Sequence, residues 1–309
     1  MVQQDKKMET KRILVYLFIT FLITYGVEIG IFWPMAKGTS LQTSQTLQML
    51  VGLVMFIPAL GVLLTRLITK EGFHNAMLRP NLKGHIRYYV MAWFGPVLLT
   101  VLGAVVYFLI YPETFDPSMK TMIDTAMSQY EQAGITNVTE DQIRVQYLTQ
   151  IAAGAFLAPI LNAFATFGEE WGWRGYLLPK MKEKLPMLPM LLVNGVIWGL
   201  WHAPLTAIGH NYGMGYWGFP FTGILAMCGF CIVMGTLLSY ISLRTGSVWP
   251  AVIAHGSING FAAGAQLFYK GELNPFIGPI PTGIIGGLGF LVAAIVVMVI
   301  LVRKGGDPA

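Results

Sequence analysis

The chain has 309 residues, of which 55% are hydrophobic and 11% charged, with a formal net charge of +5. A soluble domain carries about 25% charged residues, so this composition excludes a water-soluble globular protein, and so small a basic surplus implies no nucleic-acid partner. Long apolar runs, rather than short alternating segments, exclude a β-barrel and leave an all-α fold: a polytopic membrane helical bundle.

About eight transmembrane helices are expected, near 13–33, 46–68, 87–111, 147–168, 190–209, 221–243, 248–269 and 282–302. The first run is long enough to span and lacks a small-residue cleavage site after it, so no cleavable signal peptide is expected. Pro58 and Pro96 mark the weakest boundaries, since proline in a membrane helix is tolerated where neighbours satisfy the freed carbonyl. Between the third and fourth spans lies a polar connection, 112–146, carrying Glu113, Asp116, Asp124, Glu131, Glu140 and Asp141, with a short helix expected around 117–133. Its Asn137-Val138-Thr139 fits a glycosylation acceptor, but the triplet is common and chance is the preferred reading. Cys228 and Cys231 form a C-x-x-C inside an apolar run and are read as packing residues. There is no internal repeat. The chain is taken as a single integral membrane domain, 1–309, with a catalytic motif core at 160–260.

Basic residues set the orientation. Lys6, Lys7, Lys11 and Arg12 precede the first span, and Arg66, Lys70, Arg79, Lys83 and Arg87 fill the second connection. Arg174, Lys180, Lys182 and Lys184 follow the fourth span, Arg244 the sixth, and Arg303 and Lys304 the eighth. The alternate connections are poor in base: 34–45 has only Lys37, and 209–220 has none. By the positive-inside rule both termini are cytoplasmic in a multi-pass cell-membrane protein.

An ionisable residue at membrane depth is costly and marks a functional candidate. The fourth span ends in Gly168-Glu169-Glu170-Trp171-Gly172-Trp173-Arg174, the fifth holds Asn194, Trp198 and His202, and the seventh holds His255 and Asn259. Adjacent Glu169 and Glu170 point about 100° apart and cannot share a job. Glu170 and Arg174 lie one turn apart and suit an orienting ion pair, which leaves Glu169 for chemistry. His255 and Asn259 project side by side, and Asn194, Trp198 and His202 form one stripe. In the assigned orientation all three groups lie level, nearer the cytoplasmic face. A carboxylate and histidines in a partly dry pocket suit hydrolysis: Glu169 as general base with His202 helping to activate water, and His255 and Asn259 as oxyanion donors. No serine or cysteine stands as a nucleophile beside a base, and Ser257 points to another face.

These residues resemble the motifs of the CAAX protease and bacteriocin-processing (CPBP) family of intramembrane peptidases. EEWGWR resembles its E-E-x-x-x-R, Trp198-to-His202 its usual F-x-x-x-H, and HGSIN its H-x-x-x-N, over roughly 160–260. The resemblance implies a glutamate-dependent peptidase with the same four catalytic residues, acting on a membrane-associated peptide or membrane-protein segment. Trp198 replaces the usual Phe, which is expected to be a mild change at a packing position.

Other readings stay open. No metal or cofactor is expected, because the chain lacks H-E-x-x-H and Asn is a poor zinc ligand, although two histidines and a carboxylate could hold zinc. Level Glu and His residues also describe a proton-coupled transporter, but the inverted repeats of that class are not visible. A non-catalytic scaffold or immunity protein is the remaining alternative. Asn194 is read as a helix–helix hydrogen bond, Trp171, Trp173 and Trp201 as interface anchors, Glu28 as a buried partner or cavity residue, and His210 as a solvated loop residue.

Overall fold

A computed structural model of the protein describes residues 2–36 and 45–304. The described residues are helical apart from connections, with no strand and a single backbone bridge, Phe115 to Tyr269. Among the described residues, four helices are long and apolar enough to cross a membrane: Lys7–Ala36, Met49–Ile68, Ile86–Ile110 and Phe221–Thr245. Met187–Trp201 and Leu288–Arg303 are apolar but shorter. The protein is a polytopic helical membrane protein. The expected connection around Lys37 and the side chains of Lys6 and Lys304 lie outside the described residues.

Several expected spans are not single helices, the fourth and the seventh among them. The fourth is divided into Glu140–Phe156, Ala158–Leu161 and Ala163–Gly172, with breaks at Leu157 and Asn162. Pro159, in the first turn of the middle piece, has no N–H to continue a ladder from above. The helix carrying Glu169 does not end there, as expected from the sequence, but runs on through a π-turn, Trp173–Leu177, into Leu178–Lys182. The seventh span becomes Trp249–Phe261 followed by a 3₁₀ stretch, Ala262–Phe268. By contrast Pro96 sits inside an unbroken helix, where the hydroxyl of Thr100 donates to its carbonyl at 2.8 Å.

The chain forms two compact units, Met1–Tyr89 with Ala163–Ile253 and Ala293–Ala309, and Val90–Asn162 with Ala254–Val292. In the first unit the opening helix is inside out by soluble standards. Tyr16, Thr20, Thr24 and Glu28, spaced by one turn, are fully buried, while Leu14, Phe18 and Leu22 are exposed on the other side. With hydrocarbon as solvent, the polar groups must face the protein. At one end of this unit Lys180 donates to Glu9 at 2.7 Å and to Glu71 at 2.5 Å, Arg12 pairs with Glu9, and Tyr176 donates to Glu71 at 2.8 Å. Three basic connections named from the sequence thus meet at one end.

Met187–Trp201 packs along Phe221–Thr245 through two glycines one turn apart. A Cβ on Gly195 would stand 2.5 Å from Ile232 Cα, and one on Gly199 2.5 Å from Cys228 Cα. Backbone approach of this kind is what small-xxx-small spacing permits in membranes.

The second unit holds the polar connection. Its expected short helix is Lys120–Gln132, and its Ile123 packs with Met119 and Ile143. Thr139 caps Glu140–Phe156 in a reciprocal capping box with Gln142, which gives the acceptor-like triplet a structural role.

Candidate active site

Glu169 and Glu170 are placed by the glycines around them. A Cβ on Gly168 would stand 2.5 Å from the carbonyl of Met55 and from Phe56 Cα, and one on Gly172 2.5 Å from Pro58 Cβ. The glycine face of Ala163–Gly172 therefore lies on Met55–Pro58, where the second span breaks into Gln45–Val54 and Ile57–Ile68. The two carboxylates turn away from that seam at successive steps of about 100°.

They take different partners, as the helical spacing predicts. Glu170 Oε1 accepts from an Arg174 Nη at 3.0 Å, with both side chains fully buried. The Arg174 guanidinium carbon lies 4.0 Å from the centroid of the Trp198 ring. Glu169, only 2% exposed, accepts from the indole N–H of Trp198 at 2.7 Å. Trp198 is therefore more than packing, which corrects the sequence reading: one face stacks on the cation that holds Glu170, and its edge holds Glu169. A phenylalanine would keep the first contact and lose the second.

His202 sits where Met187–Trp201 ends, as its C-cap, with Pro204 closing off continuation in Ala203–Thr206. Its Nδ1 lies 2.8 Å from the carbonyl of Trp198. A proton on Nδ1 donated to that carbonyl leaves Nε2 as the acceptor, the arrangement a base needs. The Trp201 ring meets the imidazole edge-on at 4.8 Å between centroids, and Cys231 Sγ lies 3.9 Å from Nδ1. The His210 ring is parallel to that of His202 at 6.1 Å, half-buried and so not the solvated loop residue expected.

Asn194 is buried, but its amide reaches only Met181 Sδ at 3.9 Å, and its Oδ1 has no hydrogen-bond partner among the described residues. The expected helix–helix hydrogen bond is thus made to a sulfur on Leu178–Lys182. Trp171, Trp173 and Trp201 are buried, not bilayer anchors; Trp171 donates to Ala76 O and Trp201 to Thr24 Oγ1.

Trp249–Phe261 places His255 and Asn259, both in the second unit, one turn apart as expected, the first buried and the second exposed. Asn162, which carried no motif, donates from its amide to Gly256 O at 3.2 Å and so fixes the 158–162 turn against this helix. Ser257 is turned away, donating to Trp93 O at 2.8 Å. Phe261, two residues past Asn259, helps line an apolar cavity of about 350 Å³ with Val101, Phe108, Leu148 and Phe268.

No group of three or more His, Cys, Asp or Glu side chains is gathered as metal ligands among the described residues. What the first unit presents is a buried carboxylate oriented by a neutral donor, with an imidazole on the same supporting helix.

Residues 149–261 match the family described as Type II CAAX prenyl endopeptidase Rce1-like. This segment is similar to that family. A curated relative, the CAAX prenyl protease 2 of Methanococcus maripaludis, is 25% identical over 249 residues, covering 79% of this chain and 81% of that protein. The Rce1-like segment contains all three motifs, from Glu169 to Asn259. The matched family is one of proteases, which supports a membrane-embedded endopeptidase.

Proposed function

We propose that the protein is an intramembrane endopeptidase in which Glu169 and His202 activate water and His255 with Asn259 stabilises the oxyanion. The observation that carries this reading is the buried Glu169 carboxylate, which accepts from the Trp198 indole while Arg174 holds its neighbour Glu170. A buried carboxylate oriented by a hydrogen bond is placed to take a proton from water. In the step proposed, the water oxygen bonds to the scissile carbonyl carbon while its proton goes to Glu169. The C–N bond then breaks, and that proton leaves with the amine, so that a carboxylic acid and an amine form from peptide and water. His255 and Asn259 take the oxyanion role through the H-x-x-x-N resemblance. Glu170, Arg174, Trp198 and Asn194 support the site.

The substrate proposed is a membrane-associated peptide or a membrane-protein segment. With the basic connections facing the cytoplasm, both termini and the site open to that side. The chemistry proposed requires no metal.

The test is cleavage of quenched fluorescent peptides, unmodified and prenylated at a C-terminal CAAX, by the detergent-purified protein. Glu169→Gln is expected to lose about 10²–10⁴ in rate, the usual span for a general base, and wild-type activity is expected to survive chelation. Full activity in Glu169→Gln overturns the reading. Loss on chelation with rescue by zinc replaces it with a metalloprotease.

A further inference from the structure

Three hydroxyls on Phe221–Thr245, those of Thr236, Ser239 and Ser242, are fully buried, and none has a hydrogen-bond partner among the described residues. A serine or threonine inside a helix has an acceptor at hand in the carbonyl four residues back. Thr65, Thr100 and Thr206 use it, and on this same helix Thr245 donates to Ile241 O at 2.7 Å. Burying a hydroxyl unsatisfied is costly, so three side chains that forgo this bond call for another partner.

A charged group beside them is orphaned in the same way. Arg174 is fully buried and gives one nitrogen to Glu170, while its Nε and Nη2 donate to nothing among the described residues. Nη2 is aimed at this helix: a Cβ on Gly235, the residue before Thr236, would stand 3.2 Å from it and 3.8 Å from Gly195 Cα. Next to Gly195, the buried Asn194 Oδ1 is a further acceptor without a partner among the described residues. At 100° per residue, Cys231, Gly235, Ser239 and Ser242 fall within about 80° of one another and form a line about 16 Å long. At one end of the line the helix carries Arg244 in its last turn; at the other, Cys231 Sγ lies 3.9 Å from His202 Nδ1.

We propose that this line is a binding site for water, a file of ordered waters that leads from the Arg244 end of the helix to the His202 side of the active site. The file bonds the three hydroxyls, the open N–H groups of Arg174 and Asn194 Oδ1. Buried water binds where several otherwise unsatisfied polar atoms converge. The atoms here are of mixed kind: the guanidinium can only donate, the amide oxygen can only accept, and a hydroxyl does either. That mixture fits water, whereas the guanidinium refuses a cation and the Glu170 carboxylate beside it refuses an anion. Hydrolysis consumes water, and the hydrocarbon around the helices supplies none, so a hydrolytic site at membrane depth needs a polar route through the protein. The water site stands on the orphaned atoms; its service to catalysis rests on the function proposed above.

The experiment is radiolytic hydroxyl labelling of the full chain in detergent and isotopically labelled water, followed by mass spectrometry. Radicals born from a bound water mark the side chains beside it, sulfur atoms most readily. Cys231 is fully buried and is expected to take the label, whereas Met119, packed with Ile123 and Ile143, is expected to stay unmarked. Ser239→Ala and Thr236→Val each remove one anchoring hydroxyl. Each is expected to lower the label at Cys231 by about fivefold, the loss of one hydrogen bond to a held water, and to lower kcat for peptide cleavage with it. If one variant does not fold, the other is read. An unlabelled Cys231 in wild type overturns the proposal, as does a label that neither variant changes. A label that falls while kcat stays at the wild-type value overturns the supply of water to catalysis. An active Glu169→Gln overturns instead the function on which that supply rests, and the labelling still judges the water site by itself.

Discussion

At the scale of single residues, the site shows how two adjacent glutamates are given separate work. Helical geometry alone turns their side chains apart, and the residue one turn on, Arg174, selects Glu170. What spacing could not supply is the partner of the other. Trp198 lies on a different helix, and its indole N–H reaches Glu169 at 2.7 Å. A charge-assisted hydrogen bond of this kind contributes roughly 1.5–3 kcal/mol. Trp198→Phe is therefore expected to fold, since phenylalanine still offers a face to Arg174, and to lower kcat by about tenfold or more, with KM little changed. A steady-state comparison of the two proteins checks it; equal kcat would reduce Trp198 to the packing role that sequence comparison gave it.

At the scale of elements, the helices carrying Glu169 and His202 are set by glycine spacing more than by polar contacts. Gly168 and Gly172 seat the Glu169 helix on Met55–Pro58, and Gly195 and Gly199 seat the His202 helix on Phe221–Thr245. In a bilayer there is little hydrophobic drive between helices, so close backbone packing carries the association. Gly199→Ala would push a methyl against Cys228 Cα, which cannot yield without moving the helix axis. The expected cost is that of overpacking, about 1–3 kcal/mol, with activity falling because His202 is three residues away. Thermal unfolding in detergent measures the first and peptide cleavage the second. Gly229→Ala on the partner helix, where a Cβ meets nothing within 4 Å, is expected to change neither. The glycine pairs were present in the sequence as G-x-x-x-G spacings, a readable signal that motif reading passed over in favour of the charged residues beside them.

At the scale of the whole molecule, the polar connection of the second unit is folded and not a loose loop. Asp116 is central to it. Burial pushes its carboxyl up, but hydrogen bonds from Ser118 and from the backbone and hydroxyl of Thr121 outweigh that and hold it below the usual value. A carboxyl lowered in the folded state adds stability above its unfolded value, and that contribution is lost as pH falls through the folded value. Asp116→Ala is expected to cost about 1 kcal/mol at neutral pH, as loss of a helix-start acceptor does, seen as faster amide exchange across Lys120–Gln132. The difference from wild type should close in acid; a gap independent of pH would deny the carboxylate this role. By itself the sequence determined the class, the approximate spans and the assignment of Glu170 to Arg174, because scarcity of charge and helical period are local properties. It also marked the four catalytic candidates, whose roles await the cleavage test. Only the tertiary structure decided the breaks at Leu157 and Asn162, the bond from Trp198 to Glu169, the burial of the tryptophans and the place of Glu28. Each depends on which residues a distant helix brings alongside, and a period read along one helix carries no information about its neighbour.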